Sequence, residues 1–431
     1  MKPAQARRKK KKKVAERPQR QRQINVERKR AEESQSAFQP HFLVILSPLF
    51  VLLLARSFFF TEPEQHFSYL AESFLHGKVF FLEATDGKWD DTAPFEGKFY
   101  WPQGPFPALL ILPFVWIFDR LGAFFFQGYL SFFLVISTLV LIYRSARRLE
   151  YDGESAFFFA FAFATCSYLG VALVTWSWYF AHVVAVSFLW LAIHEWLGQK
   201  RYGLIGVLFA GVTATRLTAG LGIIFFALDL LFKRIELRKK TLAFVRLLSP
   251  VIIMSALLAG YNFVRFGNFL ETGYSFQLVA QETAELRKRG ILSLAHVPMN
   301  FYWAILGLPI FNFGSSNQIP PVLANPWGMS IFLTSPYLVL LFWQRYPKLQ
   351  DKFLLLTSGV VAFAAFLFFG VGYRQFGYRF SLDFLPLLFL LLMTAYKQTH
   401  QQLSFPLKIL LVVSAVVNLY LWSTFVMYDP V

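Results

Sequence analysis

The sequence predicts an all-α protein, a polytopic transmembrane helical bundle of about 11 spans with interfacial helices in its first outer loop. Three observations lead there. Of 431 residues 56% are hydrophobic and only 16% charged, Phe alone occurs 52 times, and the mean hydropathy is +0.47. No soluble domain can hide that much apolar surface, so lipid must cover it. Apolar runs close to the length needed to cross the hydrocarbon core recur along the chain, and Lys and Arg gather in the short loops between them, the bias that sets orientation.

The elements follow in order. The net charge is +17, and residues 1–30 hold 14 Lys/Arg against two Glu, a net of +12. Residues 1–40 are therefore expected to form a disordered basic cytoplasmic tail. It acts as a topology signal, with attraction to anionic lipid headgroups as a side effect. Nucleic acid is not an expected partner, because no folded platform accompanies the charge. Residues 41–431 form the transmembrane domain. Its first span covers about 42–60, which leaves 61–104 outside as a first outer loop.

PFPALLILPFVWIF (105–118) has three prolines and is expected to lie at, or dip into, the outer surface. Spans at 122–143, 155–174 and 178–198 alternate around the basic loops RSARR (144–148) and QKR (199–201). The stretch 203–232 is long for one helix and short for two, and TATRLTAG (213–220) breaks it; two abbreviated helices meeting near Arg216 are expected. After FKRIELRKK (232–240) a span at 247–264 leads to a second long outer loop, 265–328. Spans at 329–345, 353–371, 383–396 and 408–426 complete the bundle, with the N-terminus inside and the C-terminus outside, in a cell inner membrane. Cys166 is the sole cysteine, so no intrachain disulfide forms and no cysteine-rich metal site exists.

The candidate chemistry lies in the polar interruptions. Residues 61–104 carry eight of the 25 acids together with His66, His76, Trp89, Tyr100 and Trp101. Acids and aromatics held beside a first membrane helix suit the handling of a sugar at a bilayer surface. Glu62 and Glu64 follow the first span, where a half-desolvated carboxylate has a raised pKa and fits base work; the bland alternative is an interfacial helix end. Asp90 and Asp91 flank Trp89 and can hold a divalent cation or sugar hydroxyls, the alternative being a solvated loop. No cofactor is firmly implied. GYRQFGYRF (372–380) sets Arg374 and Arg379 at the outer surface, where two guanidiniums suit a lipid-linked phosphate; snorkelling anchors are the alternative. Asp383 is expected to pair with one of them across the turn. Arg216 is a functional candidate because intramembrane charge is costly, unless it sits at an outer turn. His182, alone near the end of a span, reads as a hydrogen-bonded packing residue.

Five pieces, FSYLAESFLHGKVF (67–80), GKFYWPQGPFPALLILPF (97–114), YNFVRFGNFLETGY (261–274), GMSIFLTSP (328–336) and QFGYRFSLDFLP (375–386), resemble in content and order the GT-C superfamily of polytopic glycosyltransferases. That superfamily includes protein O-mannosyltransferases and lipid A aminoarabinose transferases. The resemblance implies an outward-facing active site and transfer, with inversion, of a sugar carried on a polyprenyl phosphate. It implies a lipid or glycan acceptor in the cell envelope. It places the catalytic acid just after the first helix, at Glu64 or Glu62, where the family usually has Asp. It places the phosphate-binding basic residue at Arg374 or Arg379; Asp90, Asp91, Trp89, Tyr100 and Arg216, read from the residues themselves, complete the expected donor-binding set. A transporter or flippase of lipid-linked sugars is the runner-up, but it should carry charges near the midplane of several helices, whereas here they fall at ends and loops. A non-catalytic membrane scaffold is the third reading.

Overall fold

The computed structural model describes residues 41–60, 64–82, 91–313 and 320–427, with side chains from Ser47 onward. The basic tail, Glu62, Trp89 and Asp90 lie outside the described residues. The chain runs α1 (His41–Phe58), α2 (His66–Leu75), a hairpin β1 (Ala93–Phe95) and β2 (Lys98–Tyr100), α3 (Phe106–Arg120), α4 (Gln127–Arg148), α5 (Gly153–Ala164), α6 (Tyr168–Leu173), α7 (Ser177–Leu197), α8 (Tyr202–Thr213), α9 (Leu217–Gly220), α10 (Ile223–Leu231) and α11 (Leu237–Phe266). There follow α12 (Gln281–Arg287), α13 (Val297–Phe301), a short pair β3 (Ile310–Phe311) and β4 (Val322–Leu323), α14 (Ile331–Thr334), α15 (Leu349–Phe366), α16 (Leu385–Thr399) and α17 (Phe405–Met427). The protein is of the all-α class, a multi-pass membrane protein whose strands are confined to two short pairs. Among the described residues five helices, α4, α7, α11, α15 and α17, are long and apolar enough to cross a membrane.

Two of the expected spans are broken instead of continuous. The 155–174 run divides into α5 and α6 around Thr165–Ser167, and the 329–345 run is the short α14 followed by a 3-10 turn, Pro336–Phe342, whose proline has no N–H to continue an α-helix. A break inside an apolar bundle frees carbonyls that must find donors within the protein. Asn418 on α17 supplies both, its Nδ2 donating to the Thr165 carbonyl at 2.7 Å and to the Thr334 carbonyl at 2.7 Å. Ser167 and Thr334 join their hydroxyls at 2.9 Å, and the Tyr337 hydroxyl donates to the Ala162 carbonyl at 3.0 Å. The two broken helices are thus stitched together where each breaks.

The principal core is built by α4 to α8, α10 and α15 to α17, with Phe163, Trp190, Phe209, Phe225 and Phe389 fully buried. A second cluster seats the first loop on the bundle: Phe67, Leu70, Trp101, Ile111 and Phe180 unite α2, α3 and α7. The apolar spacing of α2 accounts for this, since Phe67 and Leu70 fall on one face and are fully buried. α3, with 15 residues, measures roughly 22 Å, short of the hydrocarbon core. α11 stands at the periphery with only Leu247, Arg265 and Phe266 buried. It is held close to α8 at Gly206, where any Cβ would run into the Leu247 and Arg246 carbonyls. The hairpin turns at Glu96 (φ 48) and Gly97 (φ 72), two left-handed residues of the kind a two-residue turn needs.

Candidate active site

The segment 372–384 is shaped by one side chain. Gln375 donates from Nε2 to the carbonyls of Gly372 (2.6 Å), Trp327 (2.7 Å) and Val371 (3.0 Å), while its Oε1 accepts from the Arg379 amide at 3.0 Å. Gly377 must be glycine here: its φ is +66 and a Cβ would lie 2.8 Å from the Ser167 hydroxyl. Arg374 itself takes φ 55, strained for a side chain of its size, and its carbonyl accepts from the Tyr179 hydroxyl. Its guanidinium lies 5.8 Å from the Trp176 ring. Arg379 lies over Tyr179 (5.5 Å) and Phe380 (5.2 Å), and its Nε is shielded from solvent without a hydrogen-bond partner among the described residues.

Asp383 does not pair with Arg374 or Arg379, as the sequence reading expected. Its partner is Arg216, which donates from Nε at 2.6 Å and from Nη2 at 2.9 Å in a bidentate pair, and the Thr218 hydroxyl donates to the same carboxylate. The reason is geometric. A 3-10 turn at Arg379–Asp383 swings Asp383 inward to 1% exposure, whereas Arg216 leaves the break between α8 and α9 on extended backbone (φ −145) and reaches it. The chain does break near Arg216, and the intramembrane-charge question resolves into a neutralised pair at a helix junction. His182 departs from expectation as well: neither ring nitrogen has a hydrogen bond among the described residues, and Nδ1 lies 3.7 Å from an Asp383 oxygen.

From the first loop, Asp91 also occupies the left-handed region (φ 67). The strand-like exchange Asp91 N to Leu278 O (2.9 Å) and Leu278 N to Thr92 O (2.8 Å) fastens it to the second long loop, and Gln277 Nε2 donates to its Oδ1 at 2.9 Å. Its charge acts on both Tyr274 and Arg379. Burial raises the Tyr274 hydroxyl above its ordinary value, with Arg216 and Arg379 pulling it down and Asp91 and Asp383 pushing it up. Burial likewise draws the Arg379 guanidinium below its usual range, against Tyr179 and Asp91, which hold it up. Acids from 91 and 383 and guanidiniums from 216 and 379 therefore share one electrostatic neighbourhood around Tyr274.

Glu64 lies at the start of α7. Its carbonyl accepts from the Ser177 hydroxyl (2.7 Å) and Gln127 Nε2 (2.9 Å), and its carboxylate is half-buried with Oε2 shielded from solvent. Gln127 is the hub, since its Nε2 also reaches the Thr175 carbonyl at 2.7 Å and its amide takes Gln65 Oε1 at 2.9 Å. Next to it His66 stacks on Trp101 at 4.2 Å, and burial pushes its ring down to about 3. Trp176, adjoining Ser177, carries Arg374, so Glu64 and Arg374 flank the same helix start. Tyr100 is placed differently: it packs on Phe80 and Phe266 within the field of Arg265. Among the described residues no three of His, Cys, Asp and Glu stand together to hold a metal ion. Tyr179 and Tyr274 are members that sequence reasoning did not name; Tyr274 closes the ETGY of one resembling piece, the only signal it offered.

The fold and this cluster define a polytopic membrane protein with a charged, tyrosine-lined site at one set of helix ends. No protein-family model and no curated protein matches the chain. Two solved structures of an Archaeoglobus fulgidus oligosaccharyltransferase are similar to it. The apo form is 12% identical, with a TM-score of 0.46 over 90% of this chain and 56% of that one. The second, named AglB and in complex with an inhibitory peptide and a dolichol-phosphate, is 14% identical, with a TM-score of 0.45 over 89% and 55%. The chain spans about half the length of the structures it matches.

Proposed function

We propose that this protein is an inverting glycosyltransferase that moves a sugar from a polyprenyl-phosphate donor to a cell-envelope acceptor at the outer face of the membrane. The observation that carries the reading is geometric: the Arg216 and Arg379 guanidiniums lie over the one Phe380 ring, at 5.4 and 5.2 Å, with the Asp383 carboxylate held bidentately by Arg216. In this reading the acceptor hydroxyl attacks the anomeric carbon from the face opposite the phosphate. The bond from that carbon to the phosphate oxygen breaks, and polyprenyl phosphate leaves with the bonding electron pair. Arg379 and Arg374 bind the phosphate, the Arg379 Nε offering a donor already stripped of water. Glu64 takes the hydroxyl proton, its half-buried carboxylate being suited to a base. Asp91 holds hydroxyls of the donor sugar. Left-handed backbone at both Asp91 and Arg374 fits this, because such strain gathers at functional sites.

The test uses the purified full chain with polyprenyl-phosphate-linked sugars from an envelope lipid extract. Glu64→Gln is expected to slow transfer by about 10²–10⁴-fold, and Arg379→Ala to weaken donor binding. Wild-type rates in both Glu64→Gln and Glu62→Gln would remove the proposed base, and unchanged donor affinity in Arg379→Ala would remove the phosphate role. Movement of lipid-linked sugar across vesicle bilayers without transfer would establish the transporter reading instead.

A further inference from the structure

The opposite end of the bundle gathers exposed cations. Lys233 lies 5.7 Å from the ring of Tyr202, which begins α8, so the turn between α10 and α11 stands at the far end of α8 from Arg216. Residues 232–240 (FKRIELRKK) hold five cations and one acid, and residues 345–352 (RYPKLQDK) hold three cations and one acid. Two contacts bring these stretches together: the Phe232 and Phe353 rings meet at 5.2 Å, and Gln350 Nε2 donates to Asp229 at 3.3 Å.

The acids nearby do not offset this charge on the surface. Asp351 is buried and accepts from Thr394 (3.0 Å) and Gln398 (2.6 Å); Asp229 is buried and accepts from Trp196 Nε1 at 2.8 Å. Glu236 is exposed and pairs with Lys239 at 3.2 Å. Of the eight cations only Lys240 is half-buried, with its Nζ on the Leu231 carbonyl; the other seven are exposed. Large apolar side chains project beside them: Leu237 is 76% exposed, Trp343 73% and Phe342 72%. Apolar and aromatic groups reaching toward acyl chains, next to a band of guanidinium and ammonium groups, match the layering of a leaflet whose headgroups are negative. A soluble partner would leave the apolar groups unexplained.

We propose that this patch, formed by the α10–α11 turn and the start of α15, is a binding site for anionic phospholipid headgroups. Seating it would fix the depth of the N-terminal end of α11, where the residues before Leu247 are not buried by the bundle. The purified full chain in neutral detergent is titrated with phosphatidylglycerol or phosphatidylcholine, and lipid binding is followed by native mass spectrometry alongside thermal unfolding. Phosphatidylglycerol is expected to bind and stabilise, with an affinity that falls as salt rises. Neutralising the exposed Arg234, Arg238, Arg345, Lys348 and Lys352 to Gln is expected to weaken that binding by roughly tenfold or more. A second variant, Lys9, Lys10, Lys11, Lys12 and Lys13→Gln in the tail, is expected to keep it. Equal binding of both lipids by the wild type would overturn the proposal. So would loss of binding in the tail variant with retention in the patch variant. Sugar transfer does not enter either readout, so the result stands apart from the proposed enzyme activity.

Discussion

Asp383→Asn keeps the shape of the side chain and removes the charge that Arg216 faces. The carboxylate is 1% exposed and the Arg216 side chain 13%, with 2.6 Å between Nε and Oδ1. Two unit charges about 4 Å apart attract by roughly 4 kcal/mol at an effective dielectric near 20. Removing one partner of a buried pair costs about 3–5 kcal/mol, because the other charge stays desolvated. Arg216 retains a little solvent, so a loss near the lower end, about 3 kcal/mol, is expected for the single change. The double change Arg216→Met with Asp383→Leu removes both charges and is expected to be less destabilising than the sum of its parts. The assay is heat-induced unfolding of five proteins, the wild type, Asp383→Asn, Arg216→Met, Asp383→Leu and the double, in one detergent at one scan rate, read by tryptophan fluorescence. A single-variant cost below about 1 kcal/mol, or strict additivity in the double, would refute the reasoning, since either means that the two side chains do not share a buried pair.

Asn418→Leu removes the donor that two freed carbonyls share, and is expected to destabilise by about 2–4 kcal/mol in the same assay; little change would mean that other donors satisfy Thr165 and Thr334. Gly206→Leu forces α11 from α8 and is expected to cost about 1–3 kcal/mol and to speed protease cleavage at Lys239–Lys240; unaltered cleavage would show that α11 is held elsewhere. His66 is held down at about 3 by burial, below an unfolded value of about 6.5. As pH falls from 6.5 toward 3 the unfolded chain takes up a proton that the folded one refuses. Its contribution to stability is therefore present above about 6.5 and declines by about 1.4 kcal/mol per pH unit below it. The stability gap between wild type and His66→Gln is expected to shift in the latter's favour between pH 7 and pH 5, and parallel pH profiles would contradict the burial of a neutral ring.

Much of the architecture can be traced to local signals. The break at TATRLTAG was legible because a 30-residue apolar stretch suits neither one span nor two, and a helix in the first outer loop was expected where α2 lies. The hairpin at 93–100 escaped, since three-residue strands give too little alternation to detect. The broken helices at 165 and 334 escaped for another reason: their runs are as apolar as unbroken ones, and the donor that makes the breaks tolerable lies 253 and 84 residues away.

The same division holds at the site. Composition and pattern fixed the solvent of this protein, the helical class, and the residue types, Asp91, Arg216, Arg374, Arg379 and Glu64, on which a chemistry could rest. Only the tertiary structure decided which carboxylate meets which guanidinium, joining Arg216 to Asp383 across 167 residues and setting Asp91 beside the second long loop. Apolarity and periodicity are properties of neighbouring residues, whereas a charge at a helix junction takes the partner that packing brings within about 3 Å, and no local pattern records that choice.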